Sequence, residues 1–99
     1  MNAERPEALI TAWLATQQQA MTDLLQRMVD TDSGSYDKAG TDRVGGLLAE
    51  FLAQHGIEVE TLEQAKYGDC LRGAVPWHGP GGNAGGNIVL MGHRDTVFP

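Results

Sequence analysis

The stretch Asn87-Ile88-Val89-Leu90-Met91-Gly92-His93-Arg94-Asp95-Thr96-Val97 governs how this chain is read. Ile88 to Met91 is apolar on both faces, the pattern of an interior strand of a sheet covered on two sides. A histidine and an aspartate two positions apart follow it. Residues i and i+2 of an extended chain share a face, so His93 and Asp95 point to one place while Arg94 points away. A neutral imidazole is a good ligand for zinc, and a carboxylate in reach fixes its tautomer and raises its basicity. The pair therefore has the form of the opening half of a metal site. A polar pair that ends a strand and caps the next turn is the plainer alternative.

Working back from that strand, Gly79 to Gly86 is a glycine-rich connection. Gly79, Gly81 and Ala84 formally match a loosened dinucleotide fingerprint, but a strand rather than a helix N-terminus follows, so no phosphate cradle is expected. His78, beside Trp77, is expected to be a surface residue. Asp69 to Val75 and the alternating Ile57-Glu58-Val59-Glu60-Thr61-Leu62 read as two further strands, the latter with one wet face. Cys70 falls in the first of these and is expected to be a small buried strand residue, since nothing nearby would activate its thiol.

Two helices precede the strands. Leu9, Ile10, Trp13, Leu14, Ala20, Met21, Leu24, Leu25, Met28 and Val29 recur at steps of three and four, which predicts one amphipathic helix from about Pro6 to Val29, with Pro6 in its first turn. The second helix is expected from Thr41 to His55, capped by Thr41 or Asp42. Val44, Leu47, Leu48, Phe51 and Leu52 would form its buried stripe, and Gly56 its left-handed stop. Gly45-Gly46 inside it should cost about 1 kcal/mol each against alanine, which close approach of another element would explain. Between the helices, Asp30 to Gly40 is loop chemistry. Ser33-Gly34-Ser35 tempts a nucleophile reading, but a serine elbow needs a strand before it, and here a helix precedes. The expected fold class is thus α/β, two N-terminal helices followed by three strands.

Composition excludes several functions. Ninety-nine residues make one domain at most, and the hydrophobic fraction of 41% is that of a folded chain. A net charge of −6 without a basic cluster disfavours nucleic acid and anionic membrane surfaces as partners. One cysteine permits no internal disulfide. With neither a basic, then apolar N-terminal segment nor an apolar run of spanning length, a cytoplasmic location is the default expectation.

The run Ile88 to Pro99, with its His-Arg-Asp-Thr-Val core, resembles the first metal-site motif of the M20 zinc metallopeptidases. That family includes glutamate carboxypeptidase, acetylornithine deacetylase and succinyl-diaminopimelate desuccinylase. The two-helix start, the Asp32-Ser33-Gly34-Ser35-Tyr36-Asp37 loop, the Gly40-Thr41-Asp42 helix start and the Val97-Phe98-Pro99 ending resemble the glutamate carboxypeptidase branch. The likeness runs from about Ile10 to Pro99. It implies that residues 1–99 are the first, incomplete part of an M20-type catalytic domain, with the lid or dimerisation domain absent. It also implies that His93 ligates one of two zinc ions and that Asp95, the residue usually labelled catalytic, orients and polarises it. Arg94 occupies the variable position of the motif.

The chemistry implied is two-metal hydrolysis of an amide in a small molecule or peptide, releasing a C-terminal glutamate or similar amino acid. The 99 residues alone are expected to be inactive, because one ligand and its supporting acid do not make a zinc site. Ile88 to Met91 would then be an exposed edge. Deacylation of acetylornithine or succinyl-diaminopimelate type is the alternative within the enzyme class, and a non-catalytic interaction module is the alternative outside it. Homodimerisation of the full-length protein is left open.

Overall fold

In a computed structural model that describes residues 5–75 and 88–97, the element order is α1 (Pro6–Thr16), α2 (Gln18–Val29), α3 (Lys38–Gln54), β1 (Val59–Leu62) and β2 (Cys70–Gly73). The class is mixed α/β. The chain divides into two compact units, Met1–Asp30 and Thr31–Pro99.

In the first unit the single long helix expected from Pro6 to Val29 is two helices. The ladder breaks at Gln17, whose N–H donates to Leu14 O at 2.9 Å, three residues back, with φ −99° and ψ 2°. Side chains help to end α1: the Thr16 hydroxyl donates to Trp13 O at 2.6 Å, and Gln17 Nε2 donates to the Thr16 hydroxyl. Such back-bonding competes with the regular helix pattern. Met21 N–H then donates to Gln17 O at 2.9 Å and α2 proceeds. No residue of either helix is buried, and Trp13 is 53% exposed. The apolar face of the expected amphipathic helix is therefore left uncovered, because a unit of two short helices has too few elements to enclose either one.

The second unit is organised around α3. It starts three residues earlier than Thr41, and its cap is Asp37, whose side chain accepts from Gly40 N–H at 2.9 Å. Thr41 and Asp42, the expected caps, lie inside the helix and do other work described below. Val44 is 2% exposed and is the centre of the core, with Leu47, Leu48, Phe51 and Leu52 half-buried around it. The helix ends as expected at Gly56, φ 76°. Ile57 N–H donates to Leu52 O at 2.9 Å and Gly56 N–H to Ala53 O at 3.0 Å, the paired bonds of a Schellman stop.

Strands β1 and β2 pair antiparallel, with Val59 opposite Gly73 and Leu62 opposite Cys70. Glu60 and Arg72 face each other across the ladder, 3.9 Å apart. Both strands touch α3. Cys70 is in a strand as expected but is exposed, since this two-stranded sheet is covered on one side at most.

The third strand is not formed among the described residues. Ile88 to Met91 has no ladder partner, and Ile88, Leu90 and Met91 are more than 90% exposed. An interior strand needs a neighbour on each side, and no described segment supplies one. The glycine-rich loop, Trp77 and His78 lie outside the described residues. What pairing there is comes later, as one parallel bridge between Gly34 and Thr96.

Candidate functional site

The bridge from Gly34 to Thr96 brings the loop before α3 against the His93-Arg94-Asp95-Thr96 segment. Thr96 N–H donates to Ser33 O at 2.8 Å, and Ser35 N–H donates to Thr96 O at 3.1 Å. The Ser33 hydroxyl, 5% exposed, donates to Arg94 O at 3.2 Å. Inside the loop the buried Thr41 hydroxyl donates to Gly34 O at 3.2 Å, so the first turn of α3 braces the loop from behind. These bonds use up polar groups that burial would otherwise leave costly.

On one face of this clamp stand His93 and Asp95. His93 Nδ1 lies 3.1 Å from Asp95 Oδ1 and 3.0 Å from Asp95 O. Both neighbours are acceptors, so in the neutral ring Nδ1 is the donor and Nε2 is left with the lone pair. The His93 side chain is 83% exposed, with Nε2 available to an external ligand. The other Asp95 oxygen, Oδ2, accepts from the Ser35 hydroxyl at 2.6 Å. That hydrogen bond, and after it the one from His93, holds the Asp95 carboxyl below its ordinary value.

Arg94 projects to the opposite face, as the alternation of an extended chain requires. Its side chain is 14% exposed. Nε donates to Thr41 O at 2.9 Å, and one terminal nitrogen donates to Asp69 O in a short contact. Asp42 Oδ1 lies 3.9 Å from the same nitrogen. Arg94 thereby ties the segment to α3 and to the residue preceding β2. A Cβ added at Gly45 would sit 3.0 Å from Arg94 Nε, whereas one at Gly46 would meet nothing within 4 Å. Close approach of another element explains the first of the paired glycines and not the second.

Beside Arg94, Lys38 Nζ bridges Asp42 Oδ2 at 2.9 Å and Asp69 Oδ1 at 2.7 Å. Asp69 N–H donates to Asp42 Oδ1 at 2.8 Å, and Gln64 N–H donates to Asp69 Oδ1 at 2.8 Å. The hydrogen bonds from Lys38, with these backbone donors second, keep both carboxyls below their ordinary range. The same contacts, led by Asp69, raise Lys38.

The two residues expected from the sequence, His93 and Asp95, are thus together. The residues that hold them, Ser33, Ser35, Thr41 and Arg94, escaped sequence reasoning. The one local signal was a pair of hydroxyls flanking Gly34 in a tight loop. Among the described residues no three His, Cys, Asp or Glu side chains gather as a metal-binding group. Nor is any described helix long and apolar enough to cross a membrane.

Compared with known proteins, the chain is similar to carboxypeptidase G2 of Pseudomonas sp. (strain RS-16), 26% identical over 98 residues. The match covers 97% of this chain and 22% of that protein, so the chain spans less than a quarter of the relative's length. No family model matches the chain, and no solved structure matches it.

Proposed function

We propose that this chain is the N-terminal section of the catalytic domain of a zinc-dependent carboxypeptidase or amidohydrolase, which cleaves an amide to release a C-terminal glutamate or similar amino acid. The observation that carries this is the His93–Asp95 pair. An imidazole is fixed through Nδ1 by a carboxylate, with its Nε2 lone pair directed outward, at the end of an otherwise apolar segment. The similarity to carboxypeptidase G2 along nearly the whole chain supports it.

The donor set fits zinc in part. His93 Nε2 would be one ligand, and Asp95 would act through the ring rather than on the ion. A zinc site takes about three or four protein ligands, so the others would have to come from a longer polypeptide. When bound, a zinc pair would supply an activated water and polarise the scissile carbonyl. The chain's own contribution is to hold His93 in one tautomer, to keep Asp95 ionised and to brace both against α3.

In this reading the substrate is a small molecule or peptide with a C-terminal amino acid, and the protein works in the cytoplasm. Ile88 to Met91 becomes an interior strand once further strands flank it. In the full-length enzyme, His93→Ala is expected to lower zinc content and turnover together, and Asp95→Asn to lower turnover with less loss of metal. Near-normal turnover in Asp95→Asn would defeat the proposed role. Assays on folyl-glutamate, acetylornithine and succinyl-diaminopimelate separate a carboxypeptidase from a deacylase.

A further inference from the structure

The geometry points to Ser35 as a positioning residue, whose hydroxyl locks the Asp95 carboxylate and through it sets the tautomer and direction of the His93 ring. The inference rests on the proposed metal-binding role of His93 for its purpose, though not for its geometry.

Asp95 belongs to a segment with no strand ladder, and its side chain is 41% exposed. Nothing in its own backbone would keep such a carboxylate in one rotamer. Ser35 supplies the constraint from 60 residues away, and its hydroxyl lies 2.6 Å from Asp95 Oδ2. The hydroxyl has a second acceptor, Thr96 O, at 3.3 Å. It has only one proton, and the shorter contact to a charged oxygen takes it.

The loop carrying Ser35 is itself fixed. Its N–H is bonded to Thr96 O, and its neighbour Gly34 accepts from the buried Thr41 hydroxyl. With Oδ2 held, Oδ1 is presented to His93 Nδ1 and joins the Asp95 carbonyl oxygen as its acceptor, which in the neutral ring leaves Nε2 with the lone pair.

The order of this chain is hydroxyl to carboxylate to imidazole. In a nucleophilic triad the hydroxyl gives its proton to the imidazole, and the carboxylate stands behind. Among the described residues Ser35 bonds no imidazole, only the Asp95 carboxylate, whose lowered pKa makes it a weak base, so its role is positional. Ser33 differs, because its hydroxyl donates to the Arg94 carbonyl and touches neither oxygen of the Asp95 side chain.

The test uses the 99-residue chain, nitrogen-15 labelled, at mildly alkaline pH. Long-range proton–nitrogen spectra report the His93 tautomer in this chain, and zinc content is read in the full-length enzyme, where the remaining ligands would be supplied. In the parent chain the Nδ1–H form is expected to dominate. Ser35→Ala should lower the share of the Nδ1–H form, with the Asp95 carbonyl at 3.0 Å as the acceptor that remains, and should weaken zinc binding by the full-length enzyme by about tenfold, the lower end for loss of a group behind a ligand. Ser33→Ala should leave the tautomer as it was.

Should Ser35→Ala fail to fold, Ser35→Thr against Ser35→Val gives the same comparison at matched shape: the hydroxyl variant keeps the share of the Nδ1–H form and the other lowers it. An unchanged tautomer in folded Ser35→Ala, or identical tautomers in the Thr and Val variants, would overturn the proposal. Unchanged zinc content in the full-length Ser35→Ala enzyme beside a shifted tautomer would count against the metal reading alone, while the tautomer comparison still decides the role of Ser35.

Discussion

Two halves of one ten-residue segment meet opposite fates. Ile88 to Met91 carries the strongest apolar signal in the second unit and is left almost wholly exposed. His93 to Thr96, polar throughout, is held by Ser33, Ser35, Thr41 and Asp69. Apolar burial depends on how many layers surround a strand, and two strands with one long helix do not provide them. Hydrogen bonds to a loop and a helix start need only the few residues that make them. Among the described residues the polar half therefore has its partners, and the apolar half does not.

The sharpest way to break this contrast is Arg94→Ala. It removes the donors to Thr41 O and Asp69 O at a largely buried position, with an expected loss of about 2–3 kcal/mol, the scale for hydrogen bonds from a charged group. Chemical denaturation measures it. Arg94→Lys should recover only part, because a single ammonium does not span two carbonyls as a guanidinium does. A loss within experimental error would mean that the polar half is not held as described.

A smaller effect separates the paired glycines. Gly46→Ala, in open space, should stabilise by up to about 1 kcal/mol through helix propensity. Gly45→Ala should gain nothing or lose stability, because its Cβ would press on the Arg94 guanidinium. Equal melting shifts for the two would contradict the close approach.

Acid provides a third probe. Asp42, Asp69 and Asp95 are all lowered from 3.8 in the folded chain. Their contribution is present above that value and is lost as pH falls through the lower folded values. Melting temperature should thus be insensitive to these groups near neutrality and fall below about pH 4, where the unfolded carboxylates begin to take protons. Lys38, raised from 10.5, has the opposite sign: its contribution is present below 10.5 and is lost as pH climbs through the folded value. Asp69→Asn should blunt both limbs.

The smallest change belongs to the apolar half. Leu90→Lys is expected to alter the stability of this chain by no more than about 0.5 kcal/mol, since Leu90 is 92% exposed, and to improve its solubility. In the longer protein proposed above the same substitution should prevent folding, which expression of both forms would reveal.

How much was legible follows the same division. The α3 stripe around Val44 and the stop at Gly56 are written in local periodicity and a glycine of positive φ, and both formed. The break at Gln17 was hidden, because a glutamine run favours helix and the interruption hangs on the Thr16 hydroxyl turning back to Trp13 O. The cap moved from Thr41 or Asp42 to Asp37 because Thr41 and Asp42 are drawn to Gly34, Lys38 and Asp69. His93 and Asp95 were visible through their spacing. Ser35 was not, since its partner lies 60 residues away and no window of sequence contains both.

That separation has a kinetic consequence. Joining Ser35 to Asp95 closes a loop through α3, β1 and β2, and the entropic cost of closure comes before the contacts that reward it. The clamp is therefore expected to be among the last features to form during folding and among the first to open. In native-state hydrogen exchange the Thr96 and Ser35 amides should lose protection at lower denaturant than the amides of α3 around Val44. Closure of this distant pair then acts as a checkpoint: His93 is aimed only in molecules whose intervening chain has already folded.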